Sequence, residues 1–276
     1  MAYQVLALKW RPAGFEQVVA QEHITKTLQN AIASGRIANA YLFAGPRGVG
    51  KTTTARIFAK ALNCKEGPTP HPCNKCVNCV EIAAGRSLDV LEIDGASNRG
   101  IDEIRNLREN IRYAPSSSKY KIYIVDEVHM LTNEAFNALL KTLEEPPEHV
   151  KFIFATTEPH RVPATILSRC QRFDFKRIPV DDIIAQLRMI CEKEGIQIDD
   201  ESLMVIAKKA DGSLRDAESL LDQLVAFVGN DIHIHQVLDA FSVVSQELYF
   251  EFSDILKRRD LQGGLRFVNR LINSGY

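Results

Sequence analysis

The sequence predicts an α/β protein built on a parallel sheet, followed by a region made only of helices. Three observations carry this. Short apolar runs alternate with helix-period segments as far as Ile178. A glycine-rich turn separates the first apolar run from the helix after it. Beyond Ile178-Pro179 only helical spacing remains.

Taken in order, Tyr41-Leu42-Phe43-Ala44 is a buried-strand pattern ending at Gly45. Thr52 to Leu62 sets Ala55, Ile57, Phe58, Ala61 and Leu62 at helical spacing. Leu88 to Ile93 is a second strand, and Ile101 to Ile111 a second helix. Lys121 to Val125 is a third strand. Ala135 to Leu143 is a helix stopped by Pro146-Pro147, and Val150 to Ala155 is a fourth strand. Such alternation argues a parallel sheet covered on both faces. The helical region reads as Ile183 to Cys191, Leu203 to Ala210, Leu214 to Val228 and Ile234 to Phe241, punctuated by Gly195, Gly212 and Gly229. One more helical pattern, Gln246 to Ile272, is too short to hold its own core and is expected to open a third domain that continues past Tyr276. The expected domains are 1–178, 179–242 and 243–276.

Composition sets limits. Of 276 residues, 45% are hydrophobic and 25% charged, an ordinary globular balance that suffices for more than one domain. The net charge is -1, so any DNA contact must come from a local basic patch. No apolar run is long enough to span a bilayer, and Met1 to Trp10 lacks the pattern of a secretory signal. The expected compartment is the cytoplasm, where thiols stay reduced.

Gly45-Pro46-Arg47-Gly48-Val49-Gly50-Lys51-Thr52 fits G-x-x-x-x-G-K-[ST] between a strand and a helix. Its glycines let backbone N–H groups turn toward phosphates, and the helix N-terminus adds partial positive charge. Lys51 is expected on the β- and γ-phosphates of ATP and Thr52 on Mg²⁺. The third strand ends in Asp126-Glu127, at the edge of the sheet where ligands bind. Asp126 is expected to hold Mg²⁺, and Glu127 to act as general base on the attacking water. The fourth strand ends in Thr156-Thr157, where a hydroxyl could meet the γ-phosphate or simply be a good strand residue. Arg169 and Arg215 are candidate phosphate-sensing arginines, though a lone arginine is usually a solvated surface residue.

Cys64, Cys73, Cys76 and Cys79 supply four thiolates at C-x8-C-x2-C-x2-C spacing. That is enough to close a tetrahedral structural Zn²⁺ site with no open catalytic position. Iron–sulfur ligation uses related spacings, and free thiols are the remaining alternative. Pro68, Pro70 and Pro72 make the intervening segment a loop.

Several segments together carry a family resemblance. They are Tyr3-Gln4-Val5-Leu6-Ala7, Lys9-Trp10-Arg11-Pro12, Gly45 to Thr52, the four cysteines, Asp126 to Leu131, Leu143-Glu144-Glu145-Pro146-Pro147, Ala155-Thr156-Thr157, Ser168-Arg169-Cys170 and Gly212 to Asp216. The whole chain resembles the gamma/tau subunits of bacterial DNA polymerase III. The resemblance implies an AAA+ ATPase domain with a zinc insertion at 64–79, a helical lid at 179–242 and the start of an oligomerisation collar. It implies that Arg11 and Pro12 line the nucleotide pocket near the base, with Gly45, Gly48, Gly50, Lys51, Thr52 and Thr53 as further contacts. Thr157 would be the first sensor and Arg215 the second. Arg169 would be an arginine finger that reaches ATP on an adjacent subunit. The implied partners are delta and delta-prime subunits, further gamma/tau copies, the sliding clamp and primed DNA. Leu8 stands where the family carries arginine.

Two other readings compete. A helicase would share the acid box at Asp126-Glu127-Val128-His129 but needs a second sheet domain, and only helices follow Pro179. A non-catalytic scaffold would lack the intact Lys51-Thr52 or Asp126-Glu127 pairs, and both are present. Arg99, Arg105, Arg108 and Arg112 could form a DNA-tracking stripe or a solvated helix face partnered by Glu103 and Glu109.

Overall fold

The computed structural model describes residues 4–97, 107, 109–111, 113–241 and 246–273. The proposed stripe of Arg99, Arg105, Arg108 and Arg112 lies outside the described residues.

Five strands form one parallel sheet: β1 (Ala40–Ala44), β2 (Val90–Asp94), β3 (Lys121–Asp126), β4 (Val150–Thr156) and β5 (Gln171–Asp174), in the order β2-β3-β4-β1-β5. The three inner strands are buried almost throughout, so their sequences read as continuous apolar runs. Strand β5 is not foreshadowed by any apolar run. It is an edge strand in which only Phe173 points inward, and Gln171, Arg172 and Asp174 mask it.

On one face pack α2 (Glu22–Ala33) and α3 (Lys51–Asn63), through Ile24, Leu28, Ile57 and Phe58 against Tyr41 and Phe43. The signal for α2 is the four-residue recurrence of Ile24, Leu28 and Ile32. The other face is covered by α5 (Asn133–Glu144) and α6 (Ala164–Leu167), through Phe136, Leu139, Leu143 and Ile166. The cysteine-rich segment contains a short helix, α4 (Val77–Ala83), so its predicted loop character holds only up to Cys76.

The second core belongs to α7 (Val180–Glu194), α8 (Asp200–Lys209), α9 (Leu214–Val228) and α10 (Ile234–Phe241). The region is helical as expected, except that Gln197–Ile198 and Asp231–Ile232 pair as short parallel strands β6 and β7. Leu6, on the N-terminal helix α1 (Leu6–Lys9), belongs to this same core. The Leu6 N–H donates to Asp222 Oδ2 at 2.7 Å, and Lys9 Nζ and the Trp10 indole N–H donate to Glu194 at 2.6 and 2.8 Å. A boundary at residue 178 therefore separates α1 from the helices it packs on.

The last helical pattern is two helices, α11 (Gln246–Arg258) and α12 (Leu261–Asn273), stacked through Phe252 and Phe267. Arg259 turns left-handed, and Asp260 Oδ1 accepts the Gly263 N–H at 2.9 Å, starting a new helix where apolar periodicity alone runs on. No described helix is long and apolar enough to cross a membrane.

Candidate functional site

Sheet order brings the site together. Strand β4 lies between β1 and β3, so the glycine-rich loop after β1, the acids ending β3 and the threonines ending β4 emerge side by side at the carboxyl edge.

In the loop, Gly45, Gly48 and Gly50 all have positive φ. Position 48 has a second reason to be glycine: a Cβ there would stand 1.8 Å from Ser213 Oγ, which belongs to the lid. Gly50 caps α3 in left-handed geometry, and the helix N-terminus opens into the loop. Lys51 is buried, with Nζ donating to the carbonyls of Gly45 and Pro46 at 2.8 and 2.7 Å. Burial lowers its pKa, and Glu127 and Asp126 oppose that shift and favour the ammonium.

The Thr52 hydroxyl donates to Asp126 Oδ2 at 2.7 Å. A hydroxyl and a carboxylate so placed, beside a phosphate loop, form the kind of oxygen set that can hold Mg²⁺. Glu127 follows in left-handed conformation, φ 45° and ψ 49°, an uncommon state for a side-chain-bearing residue. Its Oε2 accepts from the Thr157 N–H at 3.2 Å and the Thr157 hydroxyl at 3.0 Å.

Two further residues hold these acids, and the sequence motifs assign a role to neither, although His129 ends the acid box. His129 is buried. Its Nδ1 lies 3.3 Å from Glu127 Oε2 and 3.0 Å from Thr156 Oγ1, and its Nε2 lies 3.2 Å from Glu158 Oε1. Gly95 donates its N–H to the Asp126 carbonyl at 2.8 Å, and a Cβ there would stand 2.6 Å from the Glu127 carbonyl oxygen. The sequence signal for His129 is its place two residues after the acid pair; Gly95 carries none, because its role arises from a neighbouring strand.

Arg11, Pro12, Gly48, Gly50, Lys51, Thr52, Thr53, Asp126, Glu127 and Arg215 line one cavity of about 770 Å³ between the sheet domain and the lid. That volume suits a nucleotide-sized ligand. Arg11 Nε donates to Thr53 Oγ1 at 3.1 Å, and burial, with Arg56 nearby, lowers its pKa. Gly45 lies beneath the cavity as a carbonyl partner of Lys51, and Thr157 meets the site through Glu127. Arg169 does not line the cavity of its own chain. It pairs with Glu144 at 2.7 Å and donates to the Thr165 carbonyl.

The four cysteine Sγ atoms lie within 4.8 Å of one another. Backbone N–H groups of Cys73, Cys76 and Cys79 donate to the sulfurs of Cys64, Cys73 and Cys76 at 3.4 to 3.5 Å. A tetrahedral zinc with Zn–S near 2.3 Å needs sulfurs roughly 3.8 Å apart, so this donor set fits the ion. Cys64 caps the end of α3, and Cys76 caps the start of α4.

Fold and site together define an AAA+ P-loop domain with its helical lid. Solved structures agree on the fold: the Thermotoga maritima RuvB Holliday junction branch migration motor superposes with TM-score 0.62 at 18% identity, over 92% of this chain and 80% of that one. Residues 20–179 match the family model described as DNA polymerase III, delta subunit, and residues 182–230 match that of the DNA polymerase III clamp loader subunit, ATPase lid domain. DNA polymerase III subunit tau of Bacillus subtilis (strain 168) is 52% identical over 275 residues, 100% of this chain and 49% of that protein. DNA polymerase III subunit gamma of Buchnera aphidicola subsp. Acyrthosiphon pisum (strain APS) is 44% identical over 275 residues, 100% of this chain and 76% of that protein. The chain belongs to the DNA polymerase III gamma/tau family. It spans about half the length of the Bacillus relative.

Proposed function

We infer that this chain is the ATP-hydrolysing motor of a bacterial clamp loader, acting in the cytoplasm with delta, delta-prime and further gamma/tau subunits to load a sliding clamp onto primed DNA. The observation that carries the reading is one arrangement. The Lys51 ammonium lies in the glycine loop, the Thr52–Asp126 pair is 2.7 Å across, and Glu127 is held beside them in one cavity.

Mg²⁺ held by Thr52 and Asp126 would neutralise charge on the β- and γ-phosphates. Lys51 exchanges its two loop carbonyls for phosphate oxygens, both partner sets being acceptors for the same ammonium. Glu127 Oε2 is occupied by Thr157, which leaves Oε1 to take a proton from the attacking water. Thr157 thereby couples the end of β4 to the state of the base. Arg215, carried by the lid, brings positive charge to the phosphates only when the lid is seated on Gly48. Arg169 faces away from its own cavity and acts on a neighbour's nucleotide. The four cysteines bind zinc as a structural ion that fastens 64–79 to the end of the P-loop helix.

The test is ATPase activity of this chain reassembled with delta, delta-prime, clamp and primed DNA. Arg169→Ala is expected to lower the rate by about 10³-fold or more, as arginine fingers do, with ATP affinity retained. Lys51→Ala is expected to abolish ATP binding. Equal ATP binding by Lys51→Ala and the unaltered chain would remove the motor reading and leave a scaffold.

A further inference from the structure

The cavity has two kinds of lining. Lys51, Thr52, Asp126 and Glu127 gather the charge that a triphosphate and its cation need. Val5, Ala7, Leu8, Val19 and Ile178 give it apolar surface suited to the faces of a flat base. Helix α9 contributes Leu214, Arg215, Glu218 and Ser219 to the wall. At its start, Ser213 and Arg215 meet Gly48 of the loop. Two turns on, Asp222 accepts the Leu6 N–H. Glu218 lies between, one turn beyond Arg215 on the same helix face, about 4.5 Å further along the axis.

Glu218 lines the cavity yet is only 5% exposed. Among the described residues no hydrogen bond or ion pair reaches its carboxyl. Burial, reinforced by Asp222, raises its pKa to about 8. Buried polar groups are normally satisfied, and the cavity is where a partner for this one can come from.

We propose that Glu218 reads the edge of the bound base and selects adenine over guanine. This rests on the nucleotide reading above and extends it to the base. A neutral carboxylic acid carries one donor and one acceptor side by side. Adenine presents the complement: its N6 amine donates to the carbonyl oxygen, and its N1 accepts from the acid O–H. Guanine presents an O6 acceptor and two adjacent N–H donors, which pair with an ionised carboxylate. The protonated form of Glu218 therefore favours ATP, and the ionised form GTP. Asp222, one turn on along its own helix, is the charged group that acts on it; the charged groups that line the same cavity are Arg215 on that helix, Arg11 on the N-terminal segment, Arg47 and Lys51 of the loop region, Asp126 and Glu127 at the end of β3, and the mutually paired Arg56 and Glu92.

The experiment is calorimetric titration of the full chain with ATP and GTP between about pH 6.5 and 9, for the unaltered chain, Glu218→Gln, Glu218→Ala and Lys51→Ala. A two-bond pair of this kind is worth roughly ten- to hundredfold in discrimination. The unaltered chain is expected to prefer ATP by that margin at the acid end of the range and to lose the preference as pH rises through about 8. Glu218→Gln, whose amide keeps the donor–acceptor pair without titrating, should hold the preference at the alkaline end. Glu218→Ala should lose it at every pH. An ATP preference that is independent of pH and unchanged in Glu218→Ala overturns the proposal while Lys51-dependent binding persists. Should Glu218→Ala not fold, Glu218→Gln decides, and a fall in its preference parallel to that of the unaltered chain overturns the proposal. Loss of all Lys51-dependent binding is a different outcome and sinks the nucleotide reading itself.

Discussion

Glu127 shows how much of this site depends on single hydrogen bonds. Its left-handed backbone is allowed because Gly95 leaves room above it, and its carboxylate is aimed by Thr157 and His129. In the proposed role of general base, it should be needed for the chemical step and not for holding the nucleotide. Glu127→Gln keeps the size and the acceptor for Thr157 but cannot take a proton. ATP affinity should change only a few-fold, while steady-state hydrolysis in the assembled loader falls about 10²- to 10⁴-fold. Parallel losses in binding and turnover, measured by titration and phosphate release, would assign Glu127 to binding instead. Lys51, Thr52, Asp126 and Glu127 were legible because each belongs to a short contiguous motif. His129 and Gly95 were not, because what they do is defined by groups on other strands.

At the scale of elements, two devices hold the sheet domain's edges. Strand β2 enters the sheet just after Asp89, a buried side chain that accepts the backbone N–H groups of Ser116, Ser117 and Ser118 at 2.7 to 2.9 Å. Burial acts to raise its pKa, and these donors outweigh burial and hold it below the usual 3.8. A depressed carboxylate stabilises the fold above its unfolded value and loses that contribution as pH falls through the folded one. Asp89→Asn is therefore expected to cost about 1–3 kcal/mol at neutral pH, with the gap closing as pH drops below about 4. Urea unfolding at several pH values measures this; a gap independent of pH would mean that the carboxylate's charge contributes nothing. The second device is the cysteine cluster. One zinc per chain is expected by metal analysis, and chelation under reducing conditions should lower Tm and open 64–79 to proteolysis. Unchanged Tm and protection after complete metal loss would return the cluster to the status of free thiols. The cysteine spacing announced this module, but the helix α4 inside it was hidden by the preceding prolines and its brevity.

At the largest scale a sheet domain and a lid meet over the nucleotide-sized cavity, with α1 fastened to the lid and the following residues lining the cavity. The loop and the lid touch at Gly48 and Ser213. Gly48→Ala would place a methyl group inside the Ser213 hydroxyl and strain a positive φ, so the lid must shift outward. ATP affinity should fall at least about tenfold, the loss of roughly one good contact. The sheet domain should stay folded, its circular dichroism spectrum unchanged. Affinity within about twofold of the unaltered chain would show that the lid need not touch the loop to close.

Much of this protein is written in runs of adjacent residues. The phosphate loop, the acid pair, the cysteine spacing and the buried strands are determined by neighbours in sequence, because their chemistry acts over a few bonds of chain. Tertiary structure alone decided that β4 would stand between β1 and β3, that the N-terminal helix would join the lid core, and that Glu218 would be buried in the cavity wall. Those outcomes depend on which distant segments share a surface, and a linear pattern carries no term for the packing and desolvation that choose among them.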